Sequence, residues 1–173
     1  QVAVRSAVLR RKVVTGENSP SYLFHPHVPK RITRDLPHAR IIVLLRDPVA
    51  RAYSHYQAMV QMGYEATSFE KAIDWEQECF PAELEKMRRD ELHYGAHHSR
   101  FSYLSQGLYA DQLLAWREYL APEQMLVLNS EGFFHDPQTT FDRVVQFLGL
   151  EPCTAGGAAP SNAGSYAPLN SEV

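Results

Sequence analysis

Five consecutive aliphatic residues, Ile41-Ile42-Val43-Leu44-Leu45, run without a polar interruption into Arg46-Asp47-Pro48. A strand with one wet face alternates apolar and polar residues, so an unbroken aliphatic run belongs to a strand covered on both faces. Such strands are found in parallel sheets sandwiched between helices. Gln124-Met125-Leu126-Val127-Leu128 is a second run of this kind. Helical signals alternate with them. Pro29 to Leu36 is predicted to be a short helix, with Pro29 in its first turn and Pro37 beyond its end. Asp47 is a natural N-cap and Pro48 a natural first residue for a helix running to about Gln61. Ser68 caps a helix from Phe69 to about Trp75, and a separate charged helix is expected from Ala82 to Leu92. Tyr103 to Leu120 carries Leu104, Leu108, Leu113, Leu114 and Trp116 at near-helical spacing, with Gly107 as a possible break. Pro137 to Leu148 places Phe141, Val144, Val145 and Leu148 on one helical face and stops at Gly149. Lys12-Val13-Val14-Thr15 reads as a short strand leading into the loop Gly16 to Pro20.

This alternation predicts an α/β fold of three layers, with a central parallel sheet flanked by helices. The expected core covers 1–151. The remainder, 152–173, is rich in Gly, Pro, Ala and Ser and reads as a loop or disordered tail. The 173 residues suit one domain, and 45% hydrophobic with 21% charged residues is globular composition. No apolar run approaches the ~20 residues of a membrane span. Cys79 and Cys153 form neither a disulfide framework nor a metal spacing, which fits a reducing, cytoplasmic setting. The start lacks an initiator Met and a signal-peptide core, so the chain reads as a piece of a longer protein. Residues 1–46 hold nine Lys/Arg against two Asp/Glu, while the net charge of the whole is −3. The basic front suggests an anionic ligand. Nucleic acid is disfavoured, because the basic residues are not interleaved with aromatics.

Ligands of such sheets bind just past the C-terminal ends of the strands. That singles out Arg46-Asp47-Pro48 and Asn129-Ser130-Glu131. Ser54 follows Arg46 by eight residues, about two turns into the next helix. A guanidinium fork, a hydroxyl and the positive end of a helix can converge on one phosphate. The plainer alternative pairs Arg46 with Asp47 or Glu131 and leaves Ser54 as a surface hydroxyl. Arg51 reads as a solvent or salt-bridge arginine. His93, His97 and His98 could present two imidazoles on one face, but read better as a solvated or cleft-lining group than as metal ligands. His25 and His27 read as surface-loop residues near an acceptor cleft, and the irregular stretch from Gly63 to Arg100 is placed to shape one.

The segment Leu45-Arg46-Asp47-Pro48 with Ser54 resembles the sulfotransferases that use 3′-phosphoadenosine 5′-phosphosulfate (PAPS), in particular bacterial members and the heparan sulfate branch. Gly16-Glu17-Asn18-Ser19-Pro20-Ser21-Tyr22 is similar to an upstream family segment. Gln106-Gly107-Leu108-Tyr109 through Trp116 is similar to its Gly-x-Tyr-x-x-x-Leu-x-x-Trp helix. Leu126 to Glu131, Pro137 and Phe147-Leu148-Gly149-Leu150 resemble the end of the family core, so the likeness spans about residues 12–150 in order. It implies a P-loop-like fold. It also implies sulfuryl transfer from PAPS to a hydroxyl or amine of a carbohydrate, lipid or small metabolite, leaving 3′-phosphoadenosine 5′-phosphate (PAP). Arg46 and Ser54 would hold the 3′-phosphate. Tyr109 is a further nucleotide-binding candidate, with a core role, as for Trp116, as the plainer reading. Glu17 is the candidate general base, against a structural ion pair or backbone bond. No metal is required. The family's Gly- and Lys-containing 5′-phosphosulfate loop has no counterpart in the chain and would precede residue 1; Asn18 stands where some members carry a catalytic Lys. The late loop that closes over the nucleotide is also not visible. A P-loop nucleotide kinase and a non-catalytic nucleotide-binding remnant are the alternative functions.

Overall fold

The computed structural model describes residues 14–156. Its elements in order are α1 (Val28–Asp35), β1 (Ile41–Leu45), α2 (Pro48–Gln61), α3 (Phe69–Arg89), α4 (Ala96–Arg100), a 3-10 turn (Ser105–Gly107), α5 (Tyr109–Arg117), a second 3-10 turn (Pro122–Gln124), β2 (Met125–Asn129), α6 (Ser130–His135) and α7 (Pro137–Leu148). The two strands pair in parallel, from Ile41 opposite Met125 to Leu45 opposite Asn129. The architecture is α/β, with a parallel sheet flanked by helices.

Caps written in the sequence set the helix starts. Asp47 Oδ1 accepts the Ala50 N–H at 2.7 Å and Asp136 Oδ1 accepts the Thr139 N–H at 3.1 Å, each with a proline at the first helical position. Gly149 ends α7 at φ +64°, a conformation open to glycine at little cost. The main core lies between α2 and α3, where Ala52, Phe69, Ala72 and Tyr103 are buried against Tyr53, Tyr56, Met59, Ile73 and Phe101. Trp116 of α5 is buried and donates its indole N–H to the Leu23 carbonyl at 3.0 Å, tying the early loop to the sheet side. Trp116 is therefore a core residue.

Four expectations need correction. First, β1 is not covered on both faces: Val43 is buried, but Ile42 and Leu44 are 40% and 50% exposed. Burial on both faces needs an element against each, and no described element covers that side of β1. Second, the helix expected to end near Trp75 runs on to Arg89 through Pro81. Proline removes the N–H that would reach the Gln77 carbonyl, but Gln77 and Pro81 are both exposed, so water can serve that carbonyl. Third, the Tyr103–Leu120 segment breaks at Gly107 as expected, but the part before the break is a turn ending in a 3-10 turn, and α5 runs only from Tyr109 to Arg117. Fourth, Val14 and Thr15 form no strand, and Lys12 and Val13 lie outside the described residues, as does the tail beyond 156. No described helix is long and apolar enough to cross a membrane.

The histidines also differ from expectation. His98 is 3% exposed and stacks on Phe24 with ring centroids 4.2 Å apart, with Phe80 at 5.9 Å and the His25 ring edge-on at 5.8 Å. It is a core histidine, neither solvated nor in a cleft. His27 Nε2 lies 2.6 Å from the Met87 carbonyl, so it carries the proton of that hydrogen bond. His97 stands apart from His98, half-exposed against Trp75, with its Nε2 3.8 Å from Glu83 Oε2. Among the described residues, no group of three or more His, Cys, Asp or Glu is arranged to hold a metal.

Burial, reinforced by the nearby His25, lowers the His98 pKa from 6.5 to about 4. A group whose pKa falls on folding contributes stability that is present above the unfolded value and is lost as pH falls through the folded one. The His98 ring is therefore expected to titrate near pH 4 by NMR, with urea stability falling between pH 6.5 and 4. A His98 midpoint near 6.5 would contradict this packing.

Candidate functional site

Parallel pairing brings the C-terminal ends of β1 and β2 side by side, so the two loops singled out by sequence meet. Leu45, Arg46, Asp47, Asn129 and Glu131 line a cavity of about 420 Å³. Arg46 is exposed there. Both carboxylates beside it are engaged by backbone amides. Asp47 caps α2, and Glu131 Oε1 accepts the Asp47 N–H at 3.0 Å. The Asp47 amide, with a lesser contribution from the Arg46 charge, holds the Glu131 carboxyl below its ordinary pKa. Asn129 Oδ1 caps α6 by accepting the Gly132 N–H at 2.6 Å. Among the described residues Arg46 makes no ion pair within 4.0 Å. The alternative in which Arg46 pairs with Asp47 or Glu131 is not what the loops do.

A second layer stands behind Arg46. Gly107 packs on the start of α2; a Cβ added to it would lie 3.1 Å from Pro48 Cβ, so a larger residue fits only if Pro48 gives way by a few tenths of an ångström. Tyr109, half-buried at the start of α5, sets its hydroxyl against the Arg46 backbone amide, with the Arg51 and Arg46 guanidinium groups nearby. Burial outweighs those positive charges and raises the phenol pKa. Arg51 is not a solvent arginine. It is half-buried, donating to the Tyr103 carbonyl and, at 3.3 Å, to Gln106 Oε1, while its buried Nε has no hydrogen-bond partner among the described residues. Burial lowers its pKa against the opposing pull of Tyr109 and Glu76.

The other two candidates sit elsewhere. Ser54 is half-buried on α2 and does not line the Arg46 cavity. Glu17 is exposed and lines two other cavities, of about 590 and 380 Å³, beside Ile42 on β1. Its carboxylate accepts from Tyr22 and raises that phenol's pKa. Sequence reasoning missed the inward role of Arg51 and the part played by Glu76. An arginine one turn into a helix and a glutamate within a charged run carry no local mark of burial.

Residues 6–155 match the model of the sulfotransferase domain family. The chain is 32% identical over 139 residues to human bifunctional heparan sulfate N-deacetylase/N-sulfotransferase 3, covering 79% of this chain and 14% of that protein. It is 30% identical over 138 residues to mouse heparan sulfate glucosamine 3-O-sulfotransferase 3B1, covering 80% of this chain and 32% of that protein. Its structure is similar to the crystal structure of a sulfotransferase from Alicyclobacillus acidocaldarius, with a TM-score of 0.65 and 28% identity. That likeness covers 92% of this chain and 62% of the other. The chain thus spans less than a third of the length of these two curated relatives.

The bond between the loops is open to a direct check. Glu131→Ala removes the acceptor of the Asp47 N–H and is expected to raise exchange of that amide by at least about tenfold. Glu131→Gln, which keeps an acceptor oxygen, is expected to exchange nearly as slowly as the parent. Equal exchange in all three proteins would show that the bond does not hold the loops.

Proposed function

The chain belongs to the sulfotransferase domain family, and on that premise we propose that the protein transfers a sulfuryl group from PAPS to a hydroxyl or amine of an acceptor, with its Arg46 cavity taking the 3′-phosphate. The observation that carries this reading is the exposed Arg46, free of ion pairs among the described residues, at the paired exits of two parallel strands beside the N-terminus of α2. A guanidinium fork suits phosphate oxygens, and the helix start adds positive potential. Ser54 from α2 and Tyr109 from α5 are its proposed partners in holding the nucleotide. ATP, which lacks a 3′-phosphate, would leave Arg46 without its anion.

In the reaction the S–O bond to the 5′-phosphate breaks and a bond forms from sulfur to the acceptor oxygen or nitrogen. PAP leaves, and the acceptor proton passes to a base. Negative charge builds on the transferred oxygens, so catalysis rests on positioning and on cations. Glu17 is the proposed base. The 3′-phosphate and the 5′-phosphosulfate leave one ribose from different carbons, and the sulfuryl group lies beyond the 5′-phosphate, so a base in a cavity separate from that of Arg46 is compatible with this chemistry. Carbohydrate leads the acceptor classes, because the matched relatives are named as a heparan sulfate N-deacetylase/N-sulfotransferase and a heparan sulfate glucosamine 3-O-sulfotransferase. The family match does not favour the kinase alternative.

Calorimetry on the full-length protein is expected to show tighter binding of PAP than of adenosine 5′-phosphate. Arg46→Ala should cut that preference by about 10–100-fold, the usual scale for a charged hydrogen-bond partner. An equal preference in parent and variant would overturn the assignment of Arg46.

A further inference from the structure

Glu76 is 2% exposed, yet among the described residues it has no ion-pair partner within 4.0 Å. Its two oxygens instead accept backbone amides of one short turn, Leu104 N–H at 2.7 Å and Ser105 N–H at 2.8 Å. Burying a carboxylate is costly, and only a carboxylate offers two equivalent charged acceptors to adjacent amides. The same turn is gripped from two other helices. Arg51 of α2 donates to the Tyr103 carbonyl and the Gln106 side chain. Gln112 of α5, itself buried, donates to the Ser105 and Gln106 carbonyls at 3.1 and 3.0 Å. The turn is therefore held by side chains from α2, α3 and α5, those of Glu76 and Gln112 buried and that of Arg51 half-buried.

What the turn delivers is specific. Gly107 at its end packs on Pro48, the first residue of α2. Two residues on, Tyr109 sets its hydroxyl against the Arg46 amide. We propose that Glu76 is a positioning residue for the nucleotide end of the site, acting through the 103–107 turn on Tyr109 and Arg46. The inference rests on the PAPS reading above. Glu76 itself lines none of the cavity at the strand ends.

The test is the ratio of affinities for PAP and adenosine 5′-phosphate in the full-length protein. A merely structural loss would weaken both ligands alike and leave the ratio unmoved. Glu76→Gln keeps the shape but leaves one amide poorly served; it is expected to lower the ratio by about 3–10-fold, the scale of one net hydrogen bond. Tyr109→Phe is expected to do the same, and the double variant to be no worse than the weaker single one, because both act on one path. A Glu76→Gln ratio equal to the parent's, or effects that multiply in the double variant, would overturn the proposal. If Glu76→Gln does not fold, Gln112→Leu loosens the same turn from α5, and an unchanged ratio there is equally decisive against it. A parent protein with no preference for PAP would instead defeat the PAPS reading itself.

Discussion

Parallel pairing of β1 with β2 is the constraint from which the site follows. Two adjacent parallel strands end at the same edge of the sheet, so a helix start and a loop from distant parts of the chain emerge together. The register places Leu45 opposite Asn129. From there the Asp47 N–H reaches Glu131, and the Arg46 cavity lies between the two exits. A slip of one residue would turn Val43 and Leu128 from the packed sides to the open ones and separate the loops.

The charge around Arg46 is arranged by hydrogen bonding rather than by pairing. Two carboxylates lie within the same loops, and either could have neutralised the guanidinium. Each is engaged by an amide instead, Asp47 by Ala50 and Glu131 by Asp47. The cation is left facing the cavity, and an anion arriving there would displace water rather than a carboxylate. Behind it, Gly107 packs on the start of α2 and Tyr109 faces the Arg46 amide, and the buried acceptors of Glu76 hold the turn that leads to them.

Signals that act over a few residues were legible in the sequence. The aliphatic runs marked both strands, Asp47-Pro48 marked the start of α2 and Pro137 that of α7. The two loops that meet at the cavity followed from the strand-end rule. Features that depend on distant partners were not legible. The helix starting at Phe69 was expected to stop near Trp75, but α3 continues through Pro81, where the exposed Gln77 carbonyl can be served by water. The open side of β1 reflects what packs against Ile42 and Leu44, and composition does not report it. His98 lost its expected solvent exposure to Phe24 and Phe80, which lie far from it in the chain. Arg51 and Glu76 look like surface charges until the 103–107 turn is laid over them.

The central claim is that the paired strand exits form the seat of the nucleotide's 3′-phosphate. A crystal structure of the full-length protein with PAP bound tests it most directly. The account expects the 3′-phosphate in the cavity between Leu45–Asp47 and Asn129–Glu131, with the Arg46 guanidinium on its oxygens. A nucleotide whose 3′-phosphate lies elsewhere, for example beside Glu17 and Arg40, with Arg46 still free, would contradict it.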